Sequence, residues 1–266
     1  SIPLVMLEEL GRNFMRLDSM IKTPYLHFLG DAPDQLAAKV AQGIKDWRPE
    51  NAVAQFRMAG CNADLGLADM TLEQAKAAGA KTLVIGVANR GGVISAAWKE
   101  VLLAALEAGF DIASGLHNLL RDEPDLVAVA NAQGRRLVDV RVPTEEYPIA
   151  NGVPRSGKRM LAVGTDCSVG KMYTALAVDA EMRARGMKST FRATGQTGIL
   201  ITGGGVPLDA VIADFMAGSI EHLSPDNDPD HWDIIEGQGS LFHVSYSGVT
   251  LALIHGGQPD ALVLCH

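Results

Sequence analysis

Short apolar runs alternate with stretches of helical spacing along most of this chain. The clearest run, at 82–87, is short, apolar and rich in β-branched residues, which is typical of a strand that is buried on both faces. The segment at 96–108 has helical spacing and stops before Gly109, a residue type that commonly ends helices. This alternation indicates an α/β fold with an open, mainly parallel sheet that helices cover on both sides.

The same pattern predicts the remaining elements, in two successive units. In the first unit it predicts strands at 26–30, 52–56, 82–87, 111–113 and 126–130, and helices at 35–44, 72–78 and 96–108. In the second unit it predicts strands at 160–163, 189–193, 233–235 and 261–264, and helices at 172–185, 208–217 and 241–254.

The stretch 143–157 carries prolines and little periodicity, so we interpret it as the linker between two domains. The first domain then spans 20–142 and the second spans 158–266. Residues 1–19 form an N-terminal extension whose structure the pattern does not decide. Because the strand-like run at 261–264 is followed by only two residues, we expect that the second domain is cut short at its C-terminus.

The composition excludes several classes of protein. With 47% hydrophobic and 20% charged residues, the chain is globular rather than disordered. A net charge of −8 argues against a surface for nucleic acid or anionic membranes, and no apolar run is long enough for a membrane span. Three separated cysteines indicate a reducing compartment without a disulfide or zinc framework. We expect a cytoplasmic homo-oligomer with a small-molecule substrate, no nucleic-acid or membrane partner and no bound metal.

A glycine-rich loop at the start of the second domain is the strongest chemical signal. The run at 160–163 ends in Gly164, Gly170 and Lys171 follow at the spacing of GxxxxGK, and an alanine-rich helical stretch comes next. In this context the loop amides, the helix N-terminus and the lysine bind phosphate groups. We therefore predict that a phosphate-bearing cofactor contacts Gly164, Thr165, Cys167, Ser168, Val169, Gly170, Lys171, Met172 and Tyr173.

Met172 departs from this pattern, which ends in Ser or Thr. The missing hydroxyl normally binds the Mg²⁺ that accompanies a nucleoside triphosphate, and a thioether is a poor ligand for this hard cation. The loop is therefore expected to hold phosphate or pyrophosphate, while hydrolysis of a triphosphate is doubtful. The structural alternative is an ordinary tight glycine turn.

Polar residues also follow two predicted strands of the first domain. Asn89, Arg90 and Gly91 come directly after 82–87, and His117 comes after 111–113. Ligands bind at the carboxyl ends of strands in open α/β sheets, so we predict that these four residues bind the substrate. Plain strand-to-helix loops are the alternative.

Candidate catalytic residues lie at equivalent places in the second domain. Glu236 follows the strand 233–235, and Gln196 and Thr197 lie between two glycines after 189–193. Asp166 lies inside the phosphate loop, where it could bind a metal, bind a substrate amine or cap the following turn. Covalent catalysis by Cys167 is disfavoured because no histidine is adjacent in sequence. We interpret His243 and His255, both on the predicted helix 241–254, as packing or surface residues.

Four motifs together resemble the D-glutamate N-acetyltransferase family. They are Gly-Val-Ala-Asn-Arg-Gly-Gly at 86–92, Gly-Thr-Asp-Cys-Ser-Val-Gly-Lys-Met at 164–172, Thr-Gly-Gln-Thr-Gly at 194–198 and Ile-Ile-Glu-Gly-Gln-Gly-Ser-Leu at 234–241. The resemblance covers 20–266 and implies a Rossmann-like first domain and a P-loop NTPase-like second domain. It also implies acetyl transfer from acetyl-CoA to the amine of D-glutamate, and chains that continue past His266. The second domain is more distantly similar to dethiobiotin synthetase and to cobyrinic acid amidating enzymes.

Under this resemblance, Lys171 and the loop amides would hold the phosphates of CoA without Mg²⁺. Glu236 or Asp166 would be the base, Gln196 or Thr197 would orient the substrate or stabilise the oxyanion, and Arg90 would clamp a carboxylate. Two other hypotheses stay open. One is an ATP-dependent ligase or carboxylate kinase that uses Mg-ATP, and the other is a regulatory module that binds a nucleotide or CoA without turnover.

Overall fold

A computed structural model of the chain describes residues 21–88, 92–143 and 145–266. The predicted extension at 1–19 and the predicted substrate-binding residues Asn89, Arg90 and Gly91 lie outside these ranges.

The first unit is built on a five-stranded parallel sheet. Its strands are β1 (Tyr25–Gly30), β2 (Ala52–Arg57), β3 (Thr82–Ile85), β4 (Asp111–Ser114) and β5 (Leu137–Asp139). The strand order is β2-β1-β3-β4-β5, so the direction of winding reverses between β1 and β3. In sheets of this kind, the crevice beyond the carboxyl ends of the strands at that reversal is the usual place for a ligand.

Four helices are described in the first unit, and two of them begin at side-chain caps. The four are α1 (Lys39–Trp47), α2 (Leu72–Ala77), α3 (Ala96–Glu107) and α4 (Pro124–Gln133). Thr71 and Gln74 form a capping box at the start of α2, and the Ser95 side chain accepts a hydrogen bond from Trp98 N at the start of α3. Such caps satisfy backbone N–H groups that have no partner within the helix.

The second unit contains a four-stranded parallel sheet in the order β7-β8-β6-β9. Its strands are β6 (Lys158–Gly164), β7 (Ser189–Arg192), β8 (Trp232–Ile235) and β9 (Ala261–Cys265), and its helices are α5 (Lys171–Ala184), α6 (Gln196–Thr202), α7 (Ala213–Leu223) and α8 (Ser247–Gly257). Two parallel sheets covered by helices confirm the predicted α/β class.

The strand predicted at 126–130 is wrong, because this segment lies in α4. Pro124 occupies the first turn, where its missing N–H is harmless, and Gly134 ends the helix at a φ of +60°. Leu126 and Ala130 are buried one helical turn apart. A short apolar run does not distinguish a strand from a half-buried helix, and the strand at this edge is the unpredicted β5.

Two helix predictions in the second unit are also wrong in extent. The segment predicted at 208–217 divides into a 3₁₀ turn at Leu208–Ala210 and helix α7. The helix predicted at 241–254 begins only at Ser247. His243 therefore lies in the turn before α8, whereas His255 lies on α8.

A shared core joins the two units through α1 and α6. Val40 and Ile44 of α1 belong to the same buried cluster as Ile199 and Leu200 of α6. Gly43 allows this approach, because a Cβ there would lie 3.0 Å from the Thr197 methyl carbon. Among the described residues, no helix has the length and apolar character that crossing a membrane requires.

We predict that Gly86→Ala destabilises the fold. Gly86 follows β3 and packs against α1, and a Cβ there would lie 2.3 Å from the Ala41 Cβ. Because both segments are buried, the added methyl must displace α1. We expect a loss of about 1–3 kcal/mol in the free energy of unfolding, measured by urea denaturation.

Gly248→Ala is the matched control for this substitution. Gly248 lies in the first turn of α8, and a Cβ there meets no atom within 4 Å. The control should be neutral, or stabilising by up to about 1 kcal/mol, because alanine favours helix. Equal stability of the two variants would contradict the described packing of β3 on α1.

Candidate functional site

The loop from Gly164 to Gly170 joins β6 to α5 and folds back tightly on itself. A Cβ at Gly164 would lie 2.7 Å from Val169 Cγ2 and 2.9 Å from the Asp166 carbonyl oxygen. Ser168 and Gly170 both have left-handed backbone conformations, with φ values of 59° and 92°. The glycines at the two ends therefore permit a closed loop of the kind that surrounds phosphate groups.

Lys171, the first residue of α5, places its ammonium inside this loop. The side chain is only 7% exposed, and Nζ donates a hydrogen bond to the Asp166 carbonyl oxygen at 2.8 Å. Burial lowers the pKa of Lys171, and electrostatic interactions with Cys167, Cys265 and Asp166 oppose this shift. Within the described part of the chain, the ammonium forms no salt bridge, so its charge is directed at the space where an anion would bind.

Neighbouring strands hold the loop from two sides. Thr165 N donates to the Cys265 carbonyl oxygen at 3.0 Å, beyond the paired residues of β6 and β9. The Thr165 carbonyl oxygen accepts from Ser240 Oγ at 3.1 Å. Gly237 passes so close to the loop that a Cβ there would lie 3.1 Å from Lys171 Cδ. The segment after β8 therefore lies directly beside the phosphate loop.

Met172 and Tyr173 face the first unit. Met172 packs against the buried cluster that the two units share, which leaves its thioether in apolar surroundings. The Tyr173 hydroxyl donates to Asp46 Oδ2 at 3.2 Å, and its ring meets Trp47 edge to face. Their predicted contact with a cofactor stays a prediction.

Glu236 lies immediately after β8 with its carboxyl group buried at the start of α6. Its Oε2 accepts hydrogen bonds from Thr194 N at 2.8 Å and from Gly195 N at 3.1 Å. Burial raises the pKa of Glu236 to about 7, although hydrogen bonds from Thr194, Gly195 and Gln238 favour the ionised form. This carboxyl group can therefore exchange a proton near neutral pH, as a general base must.

Sequence models of two domain families match the chain. Residues 56–143 match a Rossmann-like domain described as "Domain of unknown function (DUF1611_N)". Residues 148–266 match a P-loop domain described as "Domain of unknown function (DUF1611_C)". These matches agree with the two sheets and the phosphate loop.

Two relatives are named D-glutamate N-acetyltransferase. The protein from Tritonibacter scottomollicae is 81% identical over 247 residues, which cover 93% of this chain and 74% of the relative. The protein from a Pseudoalteromonas species is 50% identical over 246 residues, which cover 92% of this chain and 74% of the relative. This chain belongs to the D-glutamate N-acetyltransferase family.

A crystal structure of a DUF1611 family protein from Anabaena variabilis has the same fold as this member of the family. The TM-score is 0.81 at 34% sequence identity, and the match covers 91% of this chain and 74% of that protein. The predicted order of a Rossmann-like domain followed by a P-loop domain is thereby confirmed, whereas the domain limits drawn from the sequence stay predictions.

Gln196 and Thr197, the first two residues of α6, contact the first unit. With its amide nitrogen facing Gly115, Gln196 donates to the Gly115 carbonyl oxygen and accepts from Arg141 Nη2 at 3.0 Å. Arg141 also donates to Gly115 and pairs with Asp209. Since Gly115 follows β4 and Gln196 follows β7, the carboxyl edges of the two sheets meet here. The sequence does not reveal this role of Arg141, because its partners are distant along the chain.

His117 lies at the same edge and is exposed. A Cβ at Gly92 would lie 2.7 Å from His117 N, and Asn118 N donates to the Gly92 carbonyl oxygen at 2.9 Å. The loops that follow β3 and β4 therefore touch, as expected for a common substrate site. The roles of His117 and of Asn89, Arg90 and Gly91, which directly precede Gly92, stay predictions.

Asp166 is exposed, and its Oδ1 accepts a hydrogen bond from Cys167 N at 2.7 Å, which stabilises the turn of the loop. The metal-binding and amine-binding roles stay predictions. Beside the loop lies His243, whose ring comes close to both Asp166 and Cys167. Sequence reasoning missed this contact, because only the packing of the segment after β8 against the loop creates it.

We predict that Glu236 makes stability fall as pH rises towards 7. The pKa of Glu236 is about 7 in the fold, against an ordinary value of 4.5. Between these two pH values the folded chain therefore holds a proton that the unfolded chain has released. The contribution of this proton to the free energy of unfolding is complete below about pH 4.5 and is lost as pH rises through about 7. Relative to Glu236→Gln, the wild-type free energy of unfolding should fall by up to about 3 kcal/mol, measured by urea denaturation across this range.

Glu107→Gln removes a carboxylate at the exposed end of α3 and is the control. The free energy of unfolding of Glu107→Gln should depend on pH as that of the wild type does, and both should differ from Glu236→Gln in the same way. A wild-type curve that runs parallel to the Glu236→Gln curve would contradict the buried position of Glu236.

Proposed function

We propose that this chain transfers the acetyl group of acetyl-CoA to the amino group of D-glutamate. The proposal is supported by the two relatives of that name, at 81% and 50% identity. It is supported from within the chain by a phosphate loop whose lysine is buried and whose metal-binding hydroxyl is replaced by Met172.

The observation that carries the role of CoA is the position of the Lys171 ammonium. It lies at 7% exposure inside the loop, and in the described residues no carboxylate neutralises it through a salt bridge. CoA carries a pyrophosphate and a further phosphate on its ribose, so the loop can bind it through charge-assisted hydrogen bonds. Because CoA phosphates are not cleaved, neither Mg²⁺ nor the missing hydroxyl is required.

Glu236 is the base that the geometry favours over Asp166. A pKa of about 7 leaves much of Glu236 ionised at neutral pH and still able to take up a proton. The Asp166 carboxylate is exposed and lies inside the phosphate loop, so its charge would face the phosphates of CoA. In the proposed reaction the D-glutamate ammonium gives one proton to Glu236, and its nitrogen then attacks the thioester carbonyl. The C–S bond breaks, and the CoA thiolate takes the second proton that leaves the nitrogen.

We propose that residues at the edge where the two sheets meet orient the substrate. The two carboxylates of D-glutamate require cationic or amide donors, and we propose that Arg90 clamps one of them with Asn89, Gly91 and His117 nearby. Gln196 and Thr197 lie at the start of α6 beside Glu236. We propose that the N-terminus of α6 stabilises the charge that develops on the carbonyl oxygen.

The direct test is release of free thiol from acetyl-CoA in the presence of D-glutamate. We expect thiol release with D-glutamate and much less with L-glutamate. Product formation is confirmed by the mass of N-acetylglutamate. Phosphate release from Mg-ATP without thiol release would overturn the proposal and favour a ligase or kinase.

Lys171→Met should weaken the binding of acetyl-CoA. Loss of a charged hydrogen-bond donor costs about 1.5–3 kcal/mol, which corresponds to a Kd roughly 10- to 100-fold higher, measured by titration calorimetry. Lys81→Met, at an exposed position before β3, is the matched control and should bind acetyl-CoA as the wild type does. Equal weakening in both variants would contradict a specific role of Lys171.

A further inference from the structure

Three side chains that can bind metal ions converge beside the phosphate loop. They are Asp166, Cys167 and His243, and one ligand atom from each lies within 4.8 Å of the other two. In the described residues, this is the one group of three or more such side chains that comes so close together. The loop contributes two of them and the turn before α8 contributes the third.

The turn holds His243 in place before any ligand arrives. The His243 ring stacks on Tyr246 with 4.6 Å between ring centroids, and His243 N donates to the Ser240 carbonyl oxygen at 3.1 Å. Ser240 Oγ in turn donates a hydrogen bond to the Thr165 carbonyl oxygen of the loop at 3.1 Å. The imidazole is therefore fixed relative to the loop through a short chain of contacts.

The loop orients the carboxylate of Asp166. Asp166 Oδ1 accepts from Cys167 N at 2.7 Å, which orients the carboxylate and leaves Oδ2 available. Hydrogen bonds of this kind position ligating groups in metal sites. His243 Nδ1 accepts from Ser245 N at 3.2 Å, so a metal bond at Nδ1 requires this hydrogen bond to break. Asp166 is exposed and the other two residues are half-buried, so an ion can enter from solvent.

The three donor atoms define the class of ion. Sulfur and imidazole nitrogen together select zinc and similar transition metals, whereas Mg²⁺ and Ca²⁺ prefer oxygen ligands alone. With Zn–S and Zn–N bonds of about 2.3 and 2.0 Å, a tetrahedral site places sulfur and nitrogen about 3.5 Å apart. The atoms lie within 4.8 Å of one another, so metal binding would draw the sulfur and the nitrogen closer together.

We propose that Asp166, Cys167 and His243 form a binding site for a zinc-class divalent cation at the phosphate loop. Three protein ligands leave the fourth position open to water or to another ligand. The acetyl-transfer proposal assigns no chemical step to Asp166, Cys167 or His243. The metal-site proposal can therefore be tested separately from it.

Titration of the tag-free 266-residue chain with Co²⁺ tests the site, because a Co²⁺–thiolate bond gives a charge-transfer absorption band in the near ultraviolet. We expect one Co²⁺ per chain with that band, and its loss when Zn²⁺ is added in competition. Cys167→Ser should abolish the band, and His243→Gln and Asp166→Asn should each raise the Kd for Co²⁺ at least about tenfold.

Cys61→Ser and His255→Gln are the matched controls, because they remove a thiol and an imidazole elsewhere in the fold. Both should bind Co²⁺ as the wild type does, and urea denaturation should confirm that every variant is folded. Absence of the band in the wild type, or its persistence in folded Cys167→Ser, would overturn the proposal. So would an unchanged Kd in folded His243→Gln.

Discussion

The buried ammonium of Lys171 sets the electrostatics of the phosphate loop. A cation at 7% exposure that donates to a backbone carbonyl oxygen, with no salt bridge in the described residues, is tolerated poorly in a low-dielectric interior. Helix α5 begins at Lys171, and its N-terminus also favours negative charge. An anion therefore completes the electrostatics of this loop, and the surrounding hydrogen bonds to Cys265 and Ser240 keep its shape before the anion binds.

The contact between the two units places the remaining chemistry near that loop. The α1–α6 packing brings the start of α6 to the carboxyl edge of the first sheet, where Gln196 meets Gly115. Glu236 is held at the same helix start by Thr194 N and Gly195 N. A carboxyl group with a pKa of about 7, the start of α6 and the loop that follows β4 thus share one region.

Much of this organisation can be predicted from the sequence. The predictions that are wrong or missing have physical reasons. The phosphate loop and Glu236 are predictable because each follows a short apolar run whose strand character is unambiguous. Helix α6 is not predictable from the sequence, because Gly195 and Gly198 suggest a turn. In the structure, Gly198 is needed because the Glu236 carboxylate leaves no room for a side chain there. The error at 126–130 reflects the ambiguity of a short apolar run. The closeness of His243 to Cys167 depends on tertiary packing that local spacing does not encode.

We propose that this phosphate loop holds CoA without the help of Mg²⁺. Calorimetric titration of acetyl-CoA into the chain, with and without Mg²⁺, is the sharpest test, with ATP titrated under the same two conditions. We expect saturable binding of acetyl-CoA at one site per chain, with the same Kd in both conditions, and weaker binding of ATP. Binding of ATP that requires Mg²⁺, with no binding of acetyl-CoA, would contradict it.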